Sequence, residues 1–108
     1  MKEMIERLYD ELYSPKVNPE ELINNAYLPN YISINFESNQ IGLMVTTECI
    51  VDNNLEAEYK YQFDNEKRLL TLVSYINGKN DVIYDRSKEI ALKYKEIKEY
   101  IGYTVQAV

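Results

Sequence analysis

The sequence predicts an α+β protein: an antiparallel β-meander of four to five strands, with an N-terminal and a C-terminal helix packed on one face as a second layer. Three observations carry this expectation. Residues 41–63 alternate as two strands joined at Asp52-Asn53-Asn54. Further strand-like stretches at 31–37 and 69–76 adjoin that hairpin across short turn signals. The two chain ends instead repeat apolar residues at helical spacing. Every connection is short, so strand order should follow chain order, in a single domain spanning residues 1–108.

Residues 2–13 predict an amphipathic helix. Met4, Ile5, Leu8 and Leu12 form its apolar stripe, and Glu3, Glu6, Arg7, Asp10 and Glu11 lie largely outside it. Ser14-Pro15 should end it. A second, short helix starts at Asn18-Pro19-Glu20-Glu21: Asn18 can cap, Pro19 suits the first helical position, and two glutamates sit at the positive end of the helix dipole. Leu22, Ile23 and Ala26 are its apolar side, and Pro29 closes the segment. Residues 31–37 then alternate, with Ile32, Ile34 and Phe36 expected on one face and Tyr31, Ser33, Asn35 and Glu37 on the other. Ser38-Asn39-Gln40 turns into the hairpin.

The register of that hairpin follows from burial. A two-residue loop, Asn53-Asn54, would set Val51, Cys49 and Thr47 on one face with Glu56, Glu58 and Lys60, mixing apolar with charged. A three-residue loop, Asp52 to Asn54, sets Val51 opposite Leu55, Cys49 opposite Ala57, Thr47 opposite Tyr59, Val45 opposite Tyr61 and Leu43 opposite Phe63. That face is apolar throughout, and a one-residue slip undoes it. Such loops end in a left-handed residue, which Asn54 tolerates. On the other face Glu48 lands opposite Glu58, with Glu56 two residues along. Like charges directly opposite destabilise a sheet by ~0.2–1 kcal/mol.

Asn65-Glu66-Lys67 makes the next turn. The fourth strand, residues 69–76, is apolar on both faces: Leu69, Val73 and Tyr75 against Leu70, Leu72 and Ile76. That pattern suits a covered patch or a dimer contact. Asn77-Gly78-Lys79-Asn80 is a hairpin signal, and Asp81 to Tyr84 a short fifth strand at the edge. Asp85 or Ser87 should cap the last helix, which carries Ile90, Tyr94, Ile97 and Ile101 on one stripe with Lys88, Lys93, Lys95, Glu96, Lys98 and Glu99 around it. Gly102 is its expected stop. The tail from Tyr103 to Val108 could tuck along a sheet edge.

Composition narrows the chemistry. The chain has no His and one Cys, Cys49, on the inward face of its strand. That removes the commonest general base, the usual transition-metal ligand and any Ser-His-acid triad, and an internal disulfide with them. Gly42, Gly78 and Gly102 form no phosphate loop. The expectation is a non-enzyme without metal or other cofactor. Residues 1–66 carry a net −9 and residues 67–108 a net +3. Such a balance argues against direct nucleic-acid binding and against anionic membrane, and favours a basic protein surface as partner. No apolar run spans a bilayer and the N-terminus lacks a signal-peptide pattern, so the expected location is cytoplasmic.

The function expected is protein binding. The candidate partner-binding residues are Glu48, Glu56 and Glu58 on the polar face, with Tyr31 and Tyr84 at the sheet margins. Ile, Asn and Tyr each occur 11 times against 4 Ala, a skew of AT-rich genomes such as low-GC bacteria and their phages. This weights the reading toward a small acidic inhibitor of the immunity, antitoxin or phage anti-defence kind. One alternative is a homodimeric scaffold, similar in size, charge and element types to type III secretion chaperones. Another is a small-ligand module with a tyrosine-lined pocket under the sheet.

Overall fold

The structure, a computed structural model, describes residues 2–13 and 16–106, without the side chains of residues 13, 53 and 103–106. The elements are α1 (Lys2–Tyr13), α2 (Pro19–Asn25), β1 (Tyr31–Ser38), β2 (Gly42–Val51), a 3-10 turn (Asp52–Asn54), β3 (Leu55–Asp64), β4 (Leu69–Ile76), β5 (Lys79–Asp85) and α3 (Arg86–Gln106). The architecture is α+β. All five strands form one antiparallel sheet in chain order. The chain divides into two compact units, Lys16–Asp85 with the sheet and α2, and Met1–Pro15 with Arg86–Val108, which hold α1 and α3. Among the described residues no helix is long and apolar enough to cross a membrane.

The β2–β3 hairpin has the predicted register at every position. Val51 pairs with Leu55, Cys49 with Ala57, Thr47 with Tyr59, Val45 with Tyr61 and Leu43 with Phe63. Asn54, at φ 60°, takes the left-handed conformation that ends the three-residue loop. The resulting apolar face carries the sheet's core, in which Val45 and Phe63 are fully buried. Leu22 of α2 and Leu69 of β4 complete that cluster. Burying a side chain of this size contributes roughly 1.5–3 kcal/mol. The cap of α2 is as expected: the Glu21 N–H donates to Asn18 Oδ1 at 3.0 Å, and Pro19 sits in the first turn. Gly42 is required by proximity, since a Cβ there would lie 2.5 Å from the Phe63 carbonyl oxygen.

Bulges set the faces on three strands, and on β1 and β4 they correct the expected alternation. In β1 the register shifts between Tyr31 and Ser33, so Tyr31 pairs with Cys49 and joins Ile34 and Phe36 on the core face. Ile32 drops out of that row and is 52 % exposed. In β4 a shift at Leu70 brings Leu69 opposite Phe63, in line with Leu72 and Ile76 rather than with Val73 and Tyr75. In β5, longer than the predicted 81–84, a shift at Ile83 sets Tyr84 opposite Leu72. A bulge puts two residues against one, which reverses the alternation beyond it. At both edge strands the outcome is the same: an isoleucine leaves the core face and a tyrosine enters it.

The turns use their polar residues. The Asp64 carboxylate accepts from the Glu66 and Arg68 N–H groups and from Arg68 Nε at 2.7 Å, closing the β3–β4 turn. Burial by itself would raise that carboxyl; the hydrogen bonds from Arg68 and Glu66 and the Arg68 charge together outweigh it and hold Asp64 below the ordinary carboxylate range. Asn77 and Gly78 both have positive φ, making the two-residue β4–β5 turn.

The helical unit departs further from expectation. Glu11, placed outside the α1 stripe, is 2 % exposed and lies 3.5 Å from Lys93 of α3. Ile5, placed inside it, is half exposed, and so is Tyr94 of the α3 stripe. Each helix therefore turns a mixed polar and apolar face to the other. Gly102 does not stop α3, which runs on to Gln106. The tail up to that point is helical, not laid along a sheet edge; residues 107 and 108 lie outside the described residues, as do Ser14 and Pro15, the expected stop of α1. Helix α3 begins at Arg86, so Asp85 stands immediately before it and Ser87 lies inside.

Candidate functional site

The outer face of the sheet reads as rows across neighbouring strands. One row is Ser33, Glu48, Glu58, Tyr75 and Asn80; the next is Asn35, Thr46, Lys60, Val73 and Val82. Glu48 and Glu58 are thus direct cross-strand neighbours, and Glu56 follows opposite Ile50. Paired residues of this kind hold their Cβ atoms ~4.5–5.5 Å apart. The register places all three carboxylates together, because core burial on one side of β2 and β3 leaves no other arrangement on the opposite side.

Only one of the three is offset locally. Lys60 Nζ lies 3.9 Å from Glu58 and 5.4 Å from the centre of the Tyr75 ring. The ammonium is shared between a carboxylate and an aromatic face, a contact the sequence alone did not reveal because it depends on the β3–β4 register. Among the described residues, neither Glu48 nor Glu56 has an ion-pair or hydrogen-bond partner. Both are exposed. The border of the face is apolar and accessible: Tyr75 is 39 % and Val82 59 % exposed, and the bulges release Ile32 and Ile83 to solvent beside it. At its far end Gln62 is buried, and its amide pairs reciprocally with that of Asn39, at 2.8 and 3.2 Å.

The structure separates the predicted site residues. Glu48, Glu56 and Glu58 come together. Tyr31 and Tyr84 are on the opposite, core-facing side, half-buried, and do not join them. The bulges are the physical reason, and nothing in the local alternation announces a bulge.

On that core-facing side Tyr31, Tyr59, Tyr61 and Cys49 are near neighbours. Burial, then the neighbouring Tyr31, Tyr59 and Cys49, pushes the Tyr61 hydroxyl up to about 12. Burial likewise raises Tyr31 and the Cys49 thiol. Cys49 is a free, buried thiol, 3 % exposed. Thr47 Oγ1, in the same layer, is buried without a hydrogen-bond partner among the described residues. A separate cleft of about 230 Å³ lies near the start of α2, bordered by Leu43, Phe63, Asp64 and the paired Glu20 and Lys67.

Among the described residues no three Asp, Glu or Cys side chains are placed to hold a metal ion. The chemistry available to the outer face is attraction of positive charge, with apolar contact at its border. No protein-family model matches the chain, and neither a curated protein nor a solved structure matches it.

Proposed function

We propose that this protein is a small acidic inhibitor, of the immunity, antitoxin or phage anti-defence kind, that works by binding rather than by catalysis. Its outer sheet face covers a basic, nucleic-acid-handling surface of another protein. One observation supports the reading above the rest: Glu48 and Glu58 oppose each other across β2 and β3 with Glu56 alongside. The arrangement weakens the sheet, and the fold does not require it. Charge held against stability is expected where a surface must attract a partner of opposite sign.

The partner implied is a protein whose basic groups ordinarily grip phosphates. Binding should fall with ionic strength, since exposed charges are screened within ~8–10 Å at physiological salt. The test is to capture the partner from host lysate and measure binding against salt for the wild type and for the triple reversal Glu48→Lys, Glu56→Lys, Glu58→Lys. The reversal is expected to abolish binding. Unchanged affinity and an unchanged salt slope would remove this face from the function.

A further inference from the structure

We propose that the β1 edge of the sheet is a pairing surface whose occupant is β1 of a second copy of this chain, joined antiparallel across a two-fold axis at Phe36. β1 ends the sheet: β2 lies on one side of it and, among the described residues, no strand lies on the other. The Asn39 N–H donates to the Gly42 carbonyl at 3.0 Å, and from there the ladder runs to Ser33 without a shift. Hydrogen-bonded pairs recur at every second residue of an antiparallel ladder, so Glu37, Asn35 and Ser33 bond to β2. The backbone N–H and C=O groups of Ser38, Phe36 and Ile34 therefore point outward, off the edge.

The two edges of the sheet differ. Edge strands are commonly blunted by charges, by proline or by short length. Residues 31–36 contain no charged residue, no Pro and no Gly, and Tyr31, Ile32, Ile34 and Phe36 all favour strands. Such a run pairs readily with another strand. Phe36 lies on the core face and is still 43 % exposed, so its own chain leaves the ring uncovered. The opposite edge is charged by Lys79, Asp81 and Asp85. Its two-residue turn pairs Ile76 with Lys79, which sets the Asn80 and Val82 backbone outward before the shift at Ile83. Pairing those two positions of β5 with a second β5 would set Asp81 directly against its own copy.

β1 is self-complementary where β5 is not. With Phe36 on the axis, Phe36 bonds its own copy and Ile34 of each chain bonds Ser38 of the other. Every outward backbone group of the regular stretch is then paired, and the bulge at Ile32 stays outside the contact. Side chains keep their faces. Phe36 meets Phe36 on the core side, an aromatic cross-strand pair that covers the exposed rings. On the outer side Asn35 meets Glu37 of the second copy, so no like charges are opposed. The two-fold consumes both β1 edges and leaves only the charged β5 edges at the ends. The assembly therefore closes at two chains instead of growing.

The experiment is sedimentation equilibrium on the full chain. The wild type is expected to be a dimer. Phe36→Lys and Phe36→Glu should each weaken it by about a hundredfold, because like charges then meet on the axis. Mixed in equal amounts, the two variants should associate again, a result that requires position 36 to face its own copy. Ser38→Pro should weaken the dimer by about tenfold: it removes one outward N–H from each chain and leaves the bonds to β2 in place. Ser38 is exposed, so this variant carries the test even where circular dichroism shows the Phe36 variants disturbed. A wild type that is monomeric at every concentration or that grows into polymers would overturn the proposal. So would a Ser38→Pro variant that associates as the wild type does. The outer-face triple reversal should leave the dimer intact, so failure here and failure of the inhibitor reading are told apart.

Discussion

The two faces of the sheet are built on the same backbone and obey different rules. On the core side Val45 and Phe63 are fully buried, Leu22 closes over them, and each position is chosen by volume. On the outer side, one residue along the same strands, Glu48 meets Glu58 and gains nothing from it. The comparison teaches where each kind of constraint acts. Burial dictates register, and register then decides which charges are neighbours, whether or not the sheet benefits. Under the proposed function, the charged pair that costs stability is accounted for by what the face meets rather than by what holds it up.

Phe63→Ala should separate the faces most sharply. Loss of a buried aromatic is expected to cost ~3–5 kcal/mol, read as a drop in the urea midpoint. A loss below 1 kcal/mol would mean the core side is not the principal source of stability.

Alkaline pH offers a second contrast. An unfolded tyrosine ionises near pH 10, whereas burial pushes Tyr61 up to about 12. The folded state holds this proton more tightly, so its contribution is complete below about pH 10 and falls as pH rises toward 12. One such group changes stability by at most ~1.4 kcal/mol per pH unit, and by less for a half-buried ring. Urea midpoints measured from pH 8 to 12 should fall less steeply in Tyr61→Phe than in the wild type; identical slopes would place the alkaline loss elsewhere.

Smaller effects of opposite sign are expected from neighbours on β2. Thr47 buries a hydroxyl without a partner among the described residues, so Thr47→Val should gain ~1 kcal/mol. Glu48→Gln, directly next to it, removes a like-charge opposition and should gain ~0.2–1 kcal/mol. The two gains look alike by denaturation and differ in partner binding: only the Glu48 variant should weaken capture of a basic protein. Equal binding by both would erase the functional distinction between the faces.

Much of this architecture was legible in the residues. The helix and strand types, the strand order and the whole β2–β3 register followed from periodicity and turn chemistry, as did the grouping of Glu48, Glu56 and Glu58. The bulges did not. Tyr31 and Leu69 sit on the face opposite to the one simple alternation assigns, and Tyr84, expected only at a sheet margin, faces the core, because each strand carries one unpaired residue. That displaced the two tyrosines from the candidate site. The Glu11–Lys93 contact was equally hidden: both read as solvated charges, yet Glu11 is buried beside a half-buried Lys93.

The division has a physical basis. What the sequence alone determined was decided locally or by a face that cannot tolerate a slip: an asparagine able to turn left-handed, and apolar side chains that must all lie on one side of two adjacent strands. What the tertiary structure decided was which residue of an edge strand is squeezed out of the ladder, and which charges become buried against another helix. Edge strands pair on one side only, and helix ends have several neighbours to choose from. There the deciding energies come from packing against distant parts of the chain, and no short stretch of sequence contains them.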